Sequence, residues 1–116
     1  MIEEFEAWLK EQPWHAENPY VVQGLRLSYV EPGDLFLESI NVHPGTRKKG
    51  IARAVMAKLM AIADAHGAPL TLEVDETSRS RWILDWYLRL GFEYHDIGSG
   101  DYGPYLIRTP KTPSII

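Results

Sequence analysis

Val42-His43-Pro44-Gly45-Thr46-Arg47-Lys48-Lys49-Gly50-Ile51-Ala52 stands between a run that reads as a strand and a run that reads as a long helix. It places three cations and a glycine where that helix begins. A helix N-terminus already carries partial positive charge, so an Arg-Lys-Lys run there is unfavourable for the helix alone. The pattern makes sense with an anion on the helix end, bound by exposed backbone N–H groups. The cationic side chains then add charge, and Gly50 lets the ligand approach closely. A solvated basic turn is the alternative reading of the same residues.

On the C-terminal side, residues 49–66 read as the best-defined helix. Ile51, Val55, Leu59 and Ile62 make one apolar stripe, widened by Met56, Met60 and Ala63. Gly67 caps it and Pro69 prevents its resumption. Leu70, Leu72 and Val74 then alternate with Thr71 and Glu73, a strand pattern. Thr77 or Ser78 caps a last helix that ends at Gly91. Two closing strands follow, at about 92–96 and 105–108, joined by a glycine-rich loop at 98–103.

On the N-terminal side, residues 35–42 read as a strand with apolar residues at both parities, as in a central strand covered on both faces. Residues 20–30 form a strand before it, with Gly24 marking an irregularity, and residues 31–34 supply the turn of an antiparallel hairpin. Residues 2–12 read as one short helix, with Ile2, Phe5, Trp8 and Leu9 on a single face and Pro13 stopping it. The order is α-β-β-α-β-α-β-β. The fold class is α/β of the α+β type: a single mixed, mainly antiparallel sheet with helices on both faces.

The chain has 116 residues, 45% of them hydrophobic and 24% charged, which describes one globular domain with a single core. The organisation expected is a single domain over 1–116, with its core at about 20–108, an N-terminal helix and linker at 1–19, and a loose tail at 109–116. No apolar run approaches the roughly 18 residues of a membrane span, and the N-terminus lacks a signal pattern, so the cytoplasm is the default location and no membrane partner is expected. The absence of cysteine excludes disulfides, thiolate metal sites and thiol catalysis. A net charge of −4 argues against a nucleic-acid partner, which needs a broad basic surface. His15, His66 and His95 lack metal-ligand spacing, so no metal site is expected, and His43 beside Pro44 reads as structural rather than catalytic. The basic run is a local exception on an acidic protein, which favours a small anionic ligand.

With these elements in place, the chain resembles the GCN5-related N-acetyltransferase (GNAT) family. The family signature Gln/Arg-x-x-Gly-x-Gly/Ala is matched by Arg47-Lys48-Lys49-Gly50-Ile51-Ala52, after a strand ending Ile40-Asn41-Val42 and at the start of a long helix. Leu84-Asp85-Trp86-Tyr87-Leu88-Arg89-Leu90-Gly91-Phe92 is similar to the family's Leu-Tyr-x-x-Leu-Gly-Phe segment. The resemblance covers about 20–108. It differs in that relatives carry two helices between their first two strands, where this chain has room for one short N-terminal helix. The family's asparagine seven residues before the tyrosine is Ser80 here, and an alanine four before it is Ile83.

The resemblance implies an acyl-CoA N-acyltransferase-like fold, acetyl-CoA as cosubstrate, and transfer of acetyl to a primary amine of unknown identity by direct attack. It places the backbone of Ile40, Asn41 and Val42 against pantetheine, with Ser80 and Tyr87 on the same ligand. The backbone N–H groups of Arg47, Lys48, Lys49, Gly50, Ile51 and Ala52 would hold the pyrophosphate. Tyr87 is the candidate acid for the departing thiolate, the alternative being a residue that only packs. Glu38, at the parity of Phe36, Ile40 and Val42, is the candidate base, the alternative being a solvated rim glutamate. Glu73, Asp75 and Glu76 at the next strand end attract a cationic amine or form a solvated edge. A non-catalytic CoA-binding or protein-interaction module, of the compact phage type, is the competing function, and the reading leaves open a homodimer.

Overall fold

Residues 1–17, 22–29, 33–42, 50–74 and 82–111 are described by the computed structural model, with backbone alone at 17, 22–26, 38–42 and 82. The elements are α1 (Ile2–Glu11), α2 (Pro13–Glu17), β1 (Val22–Ser28), β2 (Leu35–Val42), α3 (Ile51–Ala65), β3 (Leu70–Glu73), α4 (Trp82–Arg89), β4 (Glu93–Ser99) and β5 (Pro104–Arg108). Five strands form one sheet in the order β1-β2-β3-β5-β4. Only β2 and β3 run parallel; the other neighbours are antiparallel. This is the mixed, mainly antiparallel sheet expected. The irregularity expected at Gly24 is a register shift between Gln23 and Arg26.

The N-terminus departs from the single helix expected. Pro13 ends α1 and also begins α2, because a proline's fixed φ is already helical while the residue before it is driven extended. Gln12 sits at φ −75°, ψ 132°, so the chain breaks there and resumes. The two helices are tied by Phe5, Trp8 and Trp14, with ring centroids 5.7 and 6.5 Å apart in sequence. β4 also differs, running on to Ser99 rather than ending near Asp96.

α3 is built as its pattern predicts. Ile51, Val55, Met56, Leu59, Ile62 and Ala63 are all buried. Its C-terminus is closed by two backbone bonds, Ala68 N–H to the Ala63 carbonyl (2.8 Å) and Gly67 N–H to the Asp64 carbonyl (3.2 Å). This pair satisfies carbonyls that the helix leaves without partners and turns the chain into β3.

Leu35 and Leu37 on β2, Leu70 and Leu72 on β3, and Leu106 on β5 are at most 2% exposed. They share one cluster with the buried residues of α3, with Phe5, Tyr87 and Phe92. Each such side chain contributes about 1.5–3 kcal/mol by leaving water. The alternate positions, Phe36, Thr71, Glu73, Tyr105 and Ile107, are half-buried.

One ion pair fixes which face α3 covers. Arg108 pairs with Leu70 across the β3–β5 ladder and so shares the leucine face. Its guanidinium is buried and donates two bonds to the Asp64 carboxylate on α3, at 2.8 and 3.0 Å. The Lys111 N–H adds a third to Asp64, at 2.9 Å, so the segment after β5 is held at least that far rather than loose from Thr109. The hydrogen bond from Arg108, chiefly, holds the Asp64 carboxyl below its ordinary value of 3.8.

Removing the carboxylate charge would leave Arg108 buried and uncompensated. Asp64→Asn is therefore expected to lower stability by about 2–3 kcal/mol, the range of charged hydrogen bonds at the edge of a core. Because the folded value is the lower one, this contribution is complete above pH 3.8 and is lost as pH falls through the folded value. Urea unfolding should show a wild-type advantage at neutral pH that shrinks under acid. An advantage that persists undiminished in acid would contradict the assignment.

Candidate active site

The site begins where two strands part. β2 and β3 pair through Leu35 with Leu70, Phe36 with Thr71, and Leu37 with Leu72. β3 ends at Glu73, and the bond from the Val74 N–H to the Pro104 carbonyl (2.9 Å) continues its ladder with β5. β2 continues to Val42, still paired with β1 through Ser39, Asn41 and Val42. Among the described residues, the β3 side of positions 38–42 therefore carries no strand partner. Among the described residues this leaves a wedge, with the backbone of 38–42 on one side. Unpaired strand backbone of this kind is a template for an extended ligand.

The start of α3 lies beyond the same strand end. Gly50 is its N-cap at φ 71°, ψ 17°, a left-handed conformation that costs other residues strain. No side chain caps the helix among the described residues, and its first turn contains no acidic group. The early N–H groups of such a turn are donors without intrahelical acceptors. Among the described residues a Cβ at Gly50 would meet nothing within 4 Å, so the glycine serves the backbone angle. The Ile51 side chain is buried in the core and Ala52 packs against it, so only their backbones are free to face a ligand. Arg47, Lys48, Lys49 and Ser80, all expected at the cofactor, lie outside the described residues.

Tyr87 is placed by the way its helix stops. Phe92 N–H bonds to the Tyr87 carbonyl (3.2 Å) and Gly91 N–H to the Leu88 carbonyl (3.1 Å), the paired closure seen also at α3. Gly91 at φ 104° makes the turn, and the apolar contact that accompanies it is Tyr87 against Phe92, centroids 5.6 Å apart and edge-on. Trp86 packs on the same ring at 5.1 Å. Tyr87 is 6% exposed, and this burial pushes its hydroxyl up to about 12. The Tyr-x-x-Leu-Gly-Phe pattern is thus a helix stop, whatever chemistry it also carries.

A separate pocket of about 580 Å³ opens on the half-buried face of the sheet. Phe36, Glu73 and Tyr105 form its floor and Gly100, Asp101 and Tyr102 its rim. Glu73 was legible as one of two alternatives, a cation-attracting group or a solvated edge, and the fold puts it in a cavity. The rim residues carry none of the roles expected from the sequence. The signal lay in Gly98-Ser99-Gly100-Asp101-Tyr102-Gly103, which combines an acid and an aromatic with three glycines.

The parallel splayed pair, the helix opening on an uncapped glycine and the tyrosine-bearing helix stop together define the acyl-CoA N-acyltransferase class of fold. The sequence model of the acetyltransferase (GNAT) family matches residues 2–92, and the chain belongs to that family. The match reaches back through α1, beyond the 20–108 over which the motifs are seen. No curated protein matches the chain by sequence. Among solved structures, Ard1 from Thermoplasma volcanium superposes with a TM-score of 0.60 at 16% identity, over 84% of this chain and 75% of its own. The ribosomal-protein-S18-alanine N-acetyltransferase from Escherichia coli gives 0.60 at 20%, over 78% and 63%. The PaiA N-acetyltransferase from Thermoplasma acidophilum, in complex with coenzyme A, gives 0.58 at 15%, over 72% and 50%. The chain thus spans three quarters of the first and half to under two thirds of the others. At these identities the likeness is one of fold.

Two measurements check this geometry. Gly50→Ala should cost about 1–2 kcal/mol in urea unfolding, the cost of a left-handed backbone, since its methyl group meets nothing among the described residues. Unchanged stability would show that the backbone there is not left-handed. A UV titration of wild type against Tyr87→Phe should isolate one phenol ionising at about 12. A difference step at the ordinary 10.0 would place that hydroxyl in water.

Proposed function

We propose that the protein is an N-acetyltransferase that moves acetyl from acetyl-CoA to a primary amine. The observation that carries the reading is the wedge: five residues of β2 run on past their last pairing with β3, next to an uncapped, glycine-started helix. Family membership and a coenzyme A complex of a fold relative support the same ligand. In this reading the β2 backbone at Ile40, Asn41 and Val42 takes pantetheine as an added strand. The N–H groups from Arg47 to Ala52 take the pyrophosphate, with Arg47, Lys48 and Lys49 supplying charge and Ser80 a polar contact to pantetheine.

Acetyl-CoA supplies an acetyl group activated as a thioester. Glu38, directly or through water, takes a proton from the ammonium and passes it to solvent, which frees the nitrogen lone pair. The backbone near Ile40 donates a hydrogen bond to the carbonyl oxygen as the C–N bond forms. When the C–S bond breaks, Tyr87 gives its proton to the sulfur and recovers one from the nitrogen. One proton is released in each turnover. Burial keeps a proton on Tyr87 at neutral pH. The same low dielectric also makes the departing thiolate more basic, which narrows the mismatch with a phenol near 12.

Calorimetric titration with acetyl-CoA tests the cofactor half. Gly50→Glu and Gly50→Ala share the backbone cost, and only the glutamate adds negative charge at the helix end. Binding should survive in the alanine variant and be lost in the glutamate variant. No binding to the wild type would remove the enzyme reading and leave an interaction module. Tyr87→Phe should lower turnover by about 100-fold, within the range of a lost general acid, with CoA affinity unchanged. Equal turnover would take Tyr87 out of the chemistry.

A further inference from the structure

The pocket over the sheet has a composition that says what it accepts. Phe36 on β2, Glu73 on β3 and Tyr105 on β5 alternate with the buried leucines and therefore share the face opposite α3. The Phe36 and Tyr105 rings meet edge-on across β3, centroids 6.3 Å apart, and make an aromatic floor. Glu73 rises at one end of it, directly opposite Tyr105 in the ladder. The rim is the turn after β4, closed by the Gly100 N–H to the Gly103 carbonyl (2.8 Å).

Gly100 shows that this corner is built. Its backbone is not in the left-handed region, so the glycine is not there for its conformational freedom. A Cβ at that position would overlap the Glu73 carboxylate. The loop backbone lies against the end of the Glu73 side chain, and a methyl group there would make the carboxylate swing aside. The ionisable carboxylates lining the pocket are Glu73 and Asp101, and the described lining contains no Lys, Arg or His. Tyr102 is 61% exposed on the rim.

We propose that this pocket takes a primary ammonium ion carried on a short apolar body, alkyl or aryl. Glu73 holds the ammonium group, Asp101 adds negative potential at the entrance, and the rings of Phe36, Tyr105 and Tyr102 cover the carbon skeleton. An anion of the same shape is rejected by the two carboxylates. A long polycation would lay further charges over the aromatic floor, where they lose water, with Asp101 on the exposed rim the one further carboxylate in the described lining.

The inference rests on the acetyl-transfer reading for its role, because two pocket residues, Phe36 and Glu73, stand where the β2–β3 pairing ends. Phe36 belongs to the last pairs before β2 and β3 part, and Glu73 is the last residue of β3. An ammonium ion at Glu73 therefore lies next to the unpaired stretch of β2 that begins at Glu38. Glu73 is, in this account, the residue that selects the acceptor.

The test is a binding titration of the full chain with 2-phenylethylammonium, followed by NMR shifts and made without any CoA. Wild type should bind it, and Glu73→Gln should weaken binding about tenfold, as for a lost charged partner in a partly enclosed site. Gly100→Ala, whose methyl displaces the same carboxylate, should weaken it similarly while its circular dichroism stays native. The carboxylate 3-phenylpropionate should not bind, and spermidine should bind more weakly than phenylethylammonium. Equal binding to wild type and Glu73→Gln would overturn the proposal, as would no binding at all, equal binding of the carboxylate, or preference for spermidine. Because CoA is absent, failure here is distinct from failure of the acetyl-CoA titration.

Discussion

The parallel pairing of β2 with β3 is the constraint on which the rest depends. Two parallel neighbours cannot be joined by a tight turn and need a crossover of a dozen or more residues. α3 supplies it with 15 residues, and its apolar stripe covers the leucine face that the pairing creates. The crossover must also be held down at its far end. Asp64 does this by gripping Arg108 two strands away from β2, which ties the helix to β5. His66 at the end of α3 reaches Glu4 at 2.6 Å, which draws α1 onto the same layer.

The shortness of that pairing matters as much as its existence. Three residue pairs are enough to seat the leucines, while β3 stays paired with β5 along its whole length. β2 is left with backbone on one side that no strand in the described sheet takes up. The glycine-started helix is the next described element after this strand, and Glu73, the last residue of β3, lines the aromatic pocket. Donor and acceptor readings thus meet at one structural event, the separation of two strands. A longer β3 would pair with positions 38–42 and close it.

Much of this was legible in the chain. The 3.6-residue stripe from Ile51 to Ala63, the alternation from Leu70 to Val74 and the glycine stops at Gly67 and Gly91 are local signals, and each element formed near its expected bounds. Arg47 to Ala52 and Tyr87 to Phe92 named the family because both motifs are dictated by local backbone chemistry at helix ends. Pro13 was misread because a proline that ends one helix satisfies equally the first position of the next. Strand pairing lengths were not legible, since nothing in Leu35 to Val42 tells where a partner 35 residues away will leave it.

The sequence by itself determined the elements, their order and the glycine-opened helix, because these rest on side-chain periodicity and on φ angles that neighbours a few residues apart dictate. Tertiary structure alone decided that β2 outruns β3, that Arg108 is buried against Asp64, and that Glu73 stands over an aromatic floor with Gly100 pressed to its carboxylate. Each of these joins residues far apart in the chain. Their contact depends on sheet register and on which face a helix covers, and neither quantity is encoded in any short stretch.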